Sequence, residues 1–163
     1  MPILIAESAR ISAWADIEDS VRGSRIVVGD NSVIDSFVKI KPVGGSGDLV
    51  IGENVFINSG CVFYTGNGIT IGNHVAVAAN CTFAPVNHAY KERSRLITQQ
   101  GFTTGKGGIV IEDDVWIGAN CVLLDGAVLR RGCVVGAGSV VRGELATYTI
   151  YTGQPLRAIG ERE

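Results

Sequence analysis

The stretch IVIEDDVWIGANCVLLDGAVLRRGCVVGAGSVV, Ile109–Val141, places an aliphatic side chain at every sixth residue: Ile111, Ile117, Leu123, Leu129, Val135 and Val141. An amphipathic helix needs a period near 3.6 and a half-buried strand needs alternation, so a sustained period of six fits neither. It fits a short strand and a tight corner, repeated, with one aliphatic per strand turned into a shared interior. Working toward the N-terminus, the same beat runs through Ile5, Ile11, Ile17; Val28, Ile34, Ile40; Ile51, Ile57, Phe63; and Ile71, Val77, Phe83. These make eighteen hexads in six groups of three. Three strands close one triangular coil, and stacked coils pair their strands in parallel, ~4.8 Å apart. A β-sandwich would instead show strict alternation with turns every 8–12 residues.

The expectation is therefore an all-β solenoid of about six triangular coils over residues 1–146, with a protruding loop at 84–110 and a C-terminal strand or tail at 147–163. Most fifth slots of the hexads are small or aliphatic, as a narrow interior requires. Glycine recurs in the second slot, at Gly29, Gly52, Gly72, Gly118 and Gly136, where it is expected to supply corner backbone angles.

A chain of 163 residues suits one domain. It is 46% hydrophobic and 18% charged, enough to bury a core. Its formal charge of −2 lacks the basic footprint of a nucleic-acid binder. No apolar run approaches the ~20 residues of a membrane span, and MPILIAESAR does not read as a signal peptide. A cytoplasmic location is expected. Cys61, Cys81, Cys121 and Cys133 all occupy the inward fifth slot, the first three on one face, which reads as a packed column and not as chemistry.

Extra residues interrupt the beat after Ile17, Ile40, Phe63 and Phe83, always after the third hexad of a coil. All four breaks thus fall on one corner, and insertions gathered on one side of a solenoid mark a working face. The longest begins at APVNHAY, Ala84–Tyr90, and carries His88, one of only two histidines. A corner histidine can take a proton near neutral pH. The other, His74, reads as corner surface.

This beat, with NHAY at Asn87–Tyr90, VWIG at Val115–Gly118, GAGSVV at Gly136–Val141 and GQPLR at Gly153–Arg157, resembles the hexapeptide-repeat acyltransferases, closest to the galactoside, maltose and serine acetyltransferase group. The resemblance implies a left-handed parallel β-helix and a homotrimer with sites between subunits. It also implies acetyl-CoA as acyl donor, no metal, and a sugar-like small-molecule acceptor. It makes His88 the general base and Asn58 its companion in the site. Gly118, Ala119, Ala137 and Gly138 match the backbone contacts to the coenzyme. Arg142 and Arg157 become candidates for the coenzyme's phosphates, and Tyr90, Gln100 and Trp116 for the acceptor side. Arg142-Gly143 stands where the family often has Thr-Lys, and hexads begin at Ile5 without the helical extension of the sugar enzymes.

The leading expectation is O-acetylation of a sugar hydroxyl. The alternatives are N-acetylation of an amino or nucleotide sugar, and a non-catalytic scaffold. Carbonic anhydrases sharing this fold bind zinc with three histidines, which this chain does not possess.

Overall fold

The hexad aliphatics become the inward residues of very short strands. In the computed structural model, which describes residues 3–163, each coil contributes one strand to each of three sheets. Sheet A holds β1 (Ile3–Ile5), β4 (Ile26–Val28), β7 (Leu49–Ile51), β10 (Ile69–Ile71), β13 (Ile109–Ile111), β16 (Val128–Leu129) and β19 (Glu144–Leu145). Sheet B holds β2 (Arg10–Ile11), β5 (Val33–Ile34), β8 (Phe56–Ile57), β11 (Ala76–Val77), β14 (Trp116–Ile117), β17 (Val134–Val135), β20 (Thr149–Thr152) and β21 (Arg157–Glu161). Sheet C holds β3 (Asp16–Ile17), β6 (Lys39–Lys41), β9 (Val62–Tyr64), β12 (Thr82–Ala84), β15 (Val122–Leu124) and β18 (Val140–Val141).

Every pairing is parallel except that of β20 with β21. Register follows the hexads: Ile51, Ile71 and Ile111 align in sheet A, as do Ile57, Val77 and Ile117 in sheet B. The inward residues form one continuous core, in which the Phe63 and Phe83 rings stack 4.2 Å apart. The chain turns from A to B at a first corner, from B to C at a second, and from C to A at a third. The four sequence interruptions all lie at the third corner, as the beat implied.

The corners correct one expectation. The second-slot glycines do not supply left-handed backbone; they make room for the next coil. A Cβ on Gly29 would lie 2.5 Å from the Gly52 carbonyl oxygen, and one on Gly118 would lie 2.6 Å from the Ala137 nitrogen. The left-handed angles fall two residues later, on Asn31, Asn54, His74 and Asp114 at the first corner. At the second they fall on Phe37, Gly60, Asn80, Asn120 and Gly138. Asn and Asp tolerate that conformation because a short polar side chain bonds locally. His74 is thus an exposed corner residue, as its place in the beat suggested.

A seventh, incomplete turn (β19 and β20) closes the C-terminal end, and β21 folds back on β20. Arg162 fastens this hairpin, donating to Asp114 Oδ2 at 2.9 Å and to the Gly132 carbonyl at 3.1 Å.

Candidate active site

The long insertion leaves sheet C after β12 and rejoins sheet A at β13, so its two ends flank the third corner. His88 opens it. An antiparallel bridge pairs His88 with Phe102, supported by Ala89 N–H donating to the Gly101 carbonyl at 2.9 Å and Thr103 N–H to Asn87 at 2.8 Å. The imidazole lies against the Phe102 ring, centroids 4.7 Å apart. His88 is exposed, and neither ring nitrogen makes a hydrogen bond within the described residues. The base candidate therefore stands out of the core, held by backbone and ring contact, with its nitrogens available.

Between these ends the chain forms one four-residue helix, α1 (Ile97–Gln100). Gln100 does not serve as the free amide expected for an acceptor. Its Oε1 accepts from Glu92 N–H, and its Nε2 donates to the Glu92 and Arg95 carbonyls. It braces the loop. The return limb is pinned by Asp125, a carboxylate only 7% exposed, which accepts from Lys106 N–H at 2.7 Å and Gly108 N–H at 2.9 Å.

Loop and corner together enclose an open cavity of about 890 Å³. Tyr90, Gln100 and Arg142 line it, so the structure brings together three of the residues singled out from sequence. Lys91, Lys106, Thr103 and Asp125 line it too and escaped the sequence reading. Their only signal was position: Lys91 and Lys106 sit in the insertion, and Asp125-Gly126 follows a third hexad.

The remaining candidates lie elsewhere. Asn58, Gly118, Ala119, Ala137 and Gly138 stack along the second corner. Asn58 donates its side-chain Nδ2 to the Val77 carbonyl at 2.7 Å, which leaves its Oδ1 as the outward-facing acceptor. The amides of Gly118 and Gly138 are consumed by the helix, donating to Val135 and Ala119. Those of Ala119 and Ala137 make no hydrogen bond within the described residues. Polarity also changes along this corner. Ser12, Asp35 and Asn58 give way to Ala78, Gly118 and Gly136 at the same slot of later coils. Ser36 N–H and Ser59 Oγ donate to the Asp35 carboxylate and hold it below its ordinary range. Trp116 is 53% exposed on the outer face of sheet B between Ala76 and Val134, away from the cavity. Arg157 opens β21 in the terminal hairpin. Within one protomer, His88 and Asn58 thus occupy different corners.

The cysteines are packing. Cys61, Cys81 and Cys121 are fully buried, and their thiols donate to the Ala78, Gly118 and Gly136 carbonyls at 3.2, 3.2 and 3.3 Å. The hydrogen bond with Cys81 and then burial hold the Cys121 thiol above its ordinary range, and burial pushes Cys133 up to about 12. None is presented as a nucleophile.

Comparison with known proteins agrees with this architecture. Residues 108–143 match the bacterial transferase hexapeptide (six repeats), and residues 48–82 match the hexapeptide repeat of succinyl-transferase. A putative acetyltransferase of Schizosaccharomyces pombe is 33% identical over 112 residues, 69% of this chain and 52% of that protein. Galactoside O-acetyltransferase of Escherichia coli is 28% identical over 118 residues, 70% of this chain and 54% of that enzyme. The chain spans about half the length of most curated relatives it matches. Among solved structures, a variant of AntD, an N-acyltransferase from Bacillus cereus, superposes with a TM-score of 0.82 at 24% identity. The match covers 99% of this chain and 84% of AntD, which is bound there to coenzyme A and dTDP-4-amino-4,6-dideoxyglucose. The shared fold is the left-handed parallel β-helix. With eighteen hexads in register and both hexapeptide models matched, the chain belongs to the hexapeptide-repeat transferase family.

Proposed function

We propose that the chain catalyses acyl transfer from acetyl-CoA to a hydroxyl of a sugar or sugar conjugate, with His88 as general base. The observation that carries this reading is the placement of His88: exposed, unpaired at both ring nitrogens within the described residues, and carried on the loop whose adjoining residues Asn87, Ala89 and Tyr90 line the cavity. The acceptor O–H gives its proton to the imidazole as its oxygen attacks the thioester carbonyl carbon. The carbon–sulfur bond then breaks, and the imidazolium returns the proton to the departing thiolate. Developing charge on the carbonyl oxygen calls for donors fixed in advance, and the uncommitted amides of Ala119 and Ala137 are suited to hold the coenzyme beside it.

Those amides and Asn58 stand at the second corner while His88 stands at the third. A complete site therefore needs the second corner of one copy against the third corner of another. A homotrimer provides three such seams. The protruding arm supports this: Leu96 and Ile97 are 67% and 55% exposed on it, an apolar tip suited to a neighbouring copy.

The deciding experiment is His88→Ala, assayed by release of the coenzyme thiol against a panel of sugars and nucleotide sugars. Turnover falls ~100–10,000-fold, the general-base range, while coenzyme binding and circular dichroism are retained. Near-full activity with a working acceptor would overturn the assignment. An amine acceptor is the second reading, favoured by the likeness to an N-acyltransferase. Mass analysis of products from paired amino and hydroxy sugars separates the two.

A further inference from the structure

We infer that Trp14 and Phe37, at the second corner of the first two coils, form a stacking subsite for a neutral sugar unit of an extended glycan. The two rings are 72% and 68% exposed, with centroids 6.3 Å apart and planes at 39°. Their backbone is tied down. Trp14 N–H donates to Ser12 Oγ at 3.2 Å, and Phe37 N–H donates to the Trp14 carbonyl at 3.0 Å. Phe37 also holds a φ of +62° in the slot where later coils place Gly60, Asn80, Asn120 and Gly138. A bulky side chain resists that backbone, and a ring left in solvent returns little packing to offset it. Asn or Gly would serve the corner better, so the use of this ring lies outside the fold.

The neighbours of the pair decide the chemistry of its ligand. Asp35 Oδ1 accepts from Ser36 N–H at 2.7 Å and Oδ2 from Ser59 Oγ at 2.8 Å, while the Ser12 and Ser36 hydroxyls share a hydrogen bond of 2.9 Å. Corner positions 12–14, 35–37 and 58–60 include no lysine or arginine. A carboxylate without a cation disfavours a phosphate, and an apolar partner would desolvate it unpaired. A pyranose suits both features: its C–H face lies on an aromatic ring while its hydroxyls donate to the carboxylate beside it. Trp14 stands two coils from Asn58, ~10 Å along the prism at the spacing of paired strands. That is beyond the sugar whose hydroxyl would react near Asn58. Toward the C-terminus the same column turns to Ala78, Gly118 and Gly136, which offer no such groups. The acceptor therefore extends toward the N-terminal coils and is an oligosaccharide or glycoside. Only the word acceptor rests on the acyl-transfer reading; affinity for the saccharide does not.

The chain has two tryptophans, so Trp116→Phe leaves Trp14 as the single indole reporter. Its fluorescence is titrated with glucose, N-acetylglucosamine, maltotriose, chitotriose and lactose, and with UDP as an anionic control. The expected result is a saturable shift with at least one oligosaccharide, at lower concentration than with either monosaccharide, and none with UDP. In the otherwise native chain, calorimetric Kd for that oligosaccharide rises at least ~10-fold on Phe37→Asn, as loss of a stacked ring implies. The same change relieves the backbone, so the melting temperature rises while binding weakens. A second readout is kinetic: Trp14→Ala raises KM for the oligosaccharide acceptor far more than it lowers kcat. If Phe37→Asn instead lowered the melting temperature and changed the oligomeric state in size-exclusion chromatography, the pair would be a contact between copies and the inference would fail. No shift with any saccharide would also sink it, and acyl transfer to monosaccharides would then leave the proposed function standing. Oligosaccharide binding at Trp14 beside an undiminished His88→Ala turnover would do the reverse.

Discussion

A Cβ on Gly29 would meet the Gly52 carbonyl oxygen at 2.5 Å, whereas one on Gly23 meets nothing within 4 Å and strains only the backbone, at φ +83°. Two glycines in neighbouring turns therefore answer different demands. Gly29→Ala forces backbone against backbone across a coil interface that pairs strands on both sides. It should cost about 1–3 kcal/mol, the range for overpacking a tight contact. Gly23→Ala should cost about 1–2 kcal/mol from left-handed strain, and Gly23→Asn less, since Asn occupies that conformation at four other corner positions. Urea midpoints measure the difference. A larger loss for Gly23→Asn than for Gly29→Ala would refute the stacking argument. The same distinction separates Gly118 from Gly138: the first is demanded by the coil above, the second by its φ of +72°.

At the scale of elements, the long insertion is shaped by what happens at its two ends. One end bridges His88 to Phe102, and the other hands two amide protons to Asp125. Asp125→Ala would leave the buried Gly108 N–H without its acceptor, a local loss of about 1–3 kcal/mol. The loop, not the prism, should respond. Limited trypsin cleavage at Lys91, Arg93 and Arg95 is expected to accelerate, with thermal melting of the β-helix changed much less. An unaltered cleavage rate would show that the anchor does not govern the loop. Elsewhere, β20 and β21 act as a lid on the core, where Tyr151 and Leu156 pack. In the first coil, Leu4 and Ile5 are 53% and 42% exposed among the described residues.

Over the whole molecule, charge is arranged as ladders along the corners. Arg130 donates to Glu112 at 2.7 Å and to Glu144 at 2.8 Å, joining three coils. Its guanidinium holds both carboxyls below their ordinary range, with Arg131 N–H assisting at Glu112. Arg25 does the same for Asp48, backbone N–H first and side chain second. A carboxyl with a depressed folded value lends stability that is present above its unfolded value and lost as pH falls through the folded one. The protein should therefore hold its melting temperature through neutral and mildly acidic pH and lose it progressively below about pH 4, where unfolded carboxyls titrate. These groups are solvent-exposed, so each contributes little. Arg130→Gln should lower the neutral melting temperature by about 1–3 °C and flatten the acid decline. A decline of unchanged steepness would remove Arg130 from that account.

The sequence by itself determined the solenoid, the inward residues, the burial of all four cysteines and the corner on which insertions gather. Each follows from one-dimensional periodicity, because every hexad repeats the same local geometry and its neighbour in space is its neighbour in rhythm. The exposed position of His88 was legible for the same reason: it stands where the rhythm stops. What only the tertiary structure decided was which side chains share a space. Gln100 looked free and is spent bracing the loop, while Arg142, grouped by motif with the coenzyme contacts, lines the loop cavity with Lys91 and Lys106. Asn58 and His88 proved to stand at different corners of the prism. The second-slot glycines took their reason from the coil above them and not from their own backbone angles. These facts depend on contacts between coils and on a twenty-residue insertion without period, and neither kind of contact is written into a six-residue repeat.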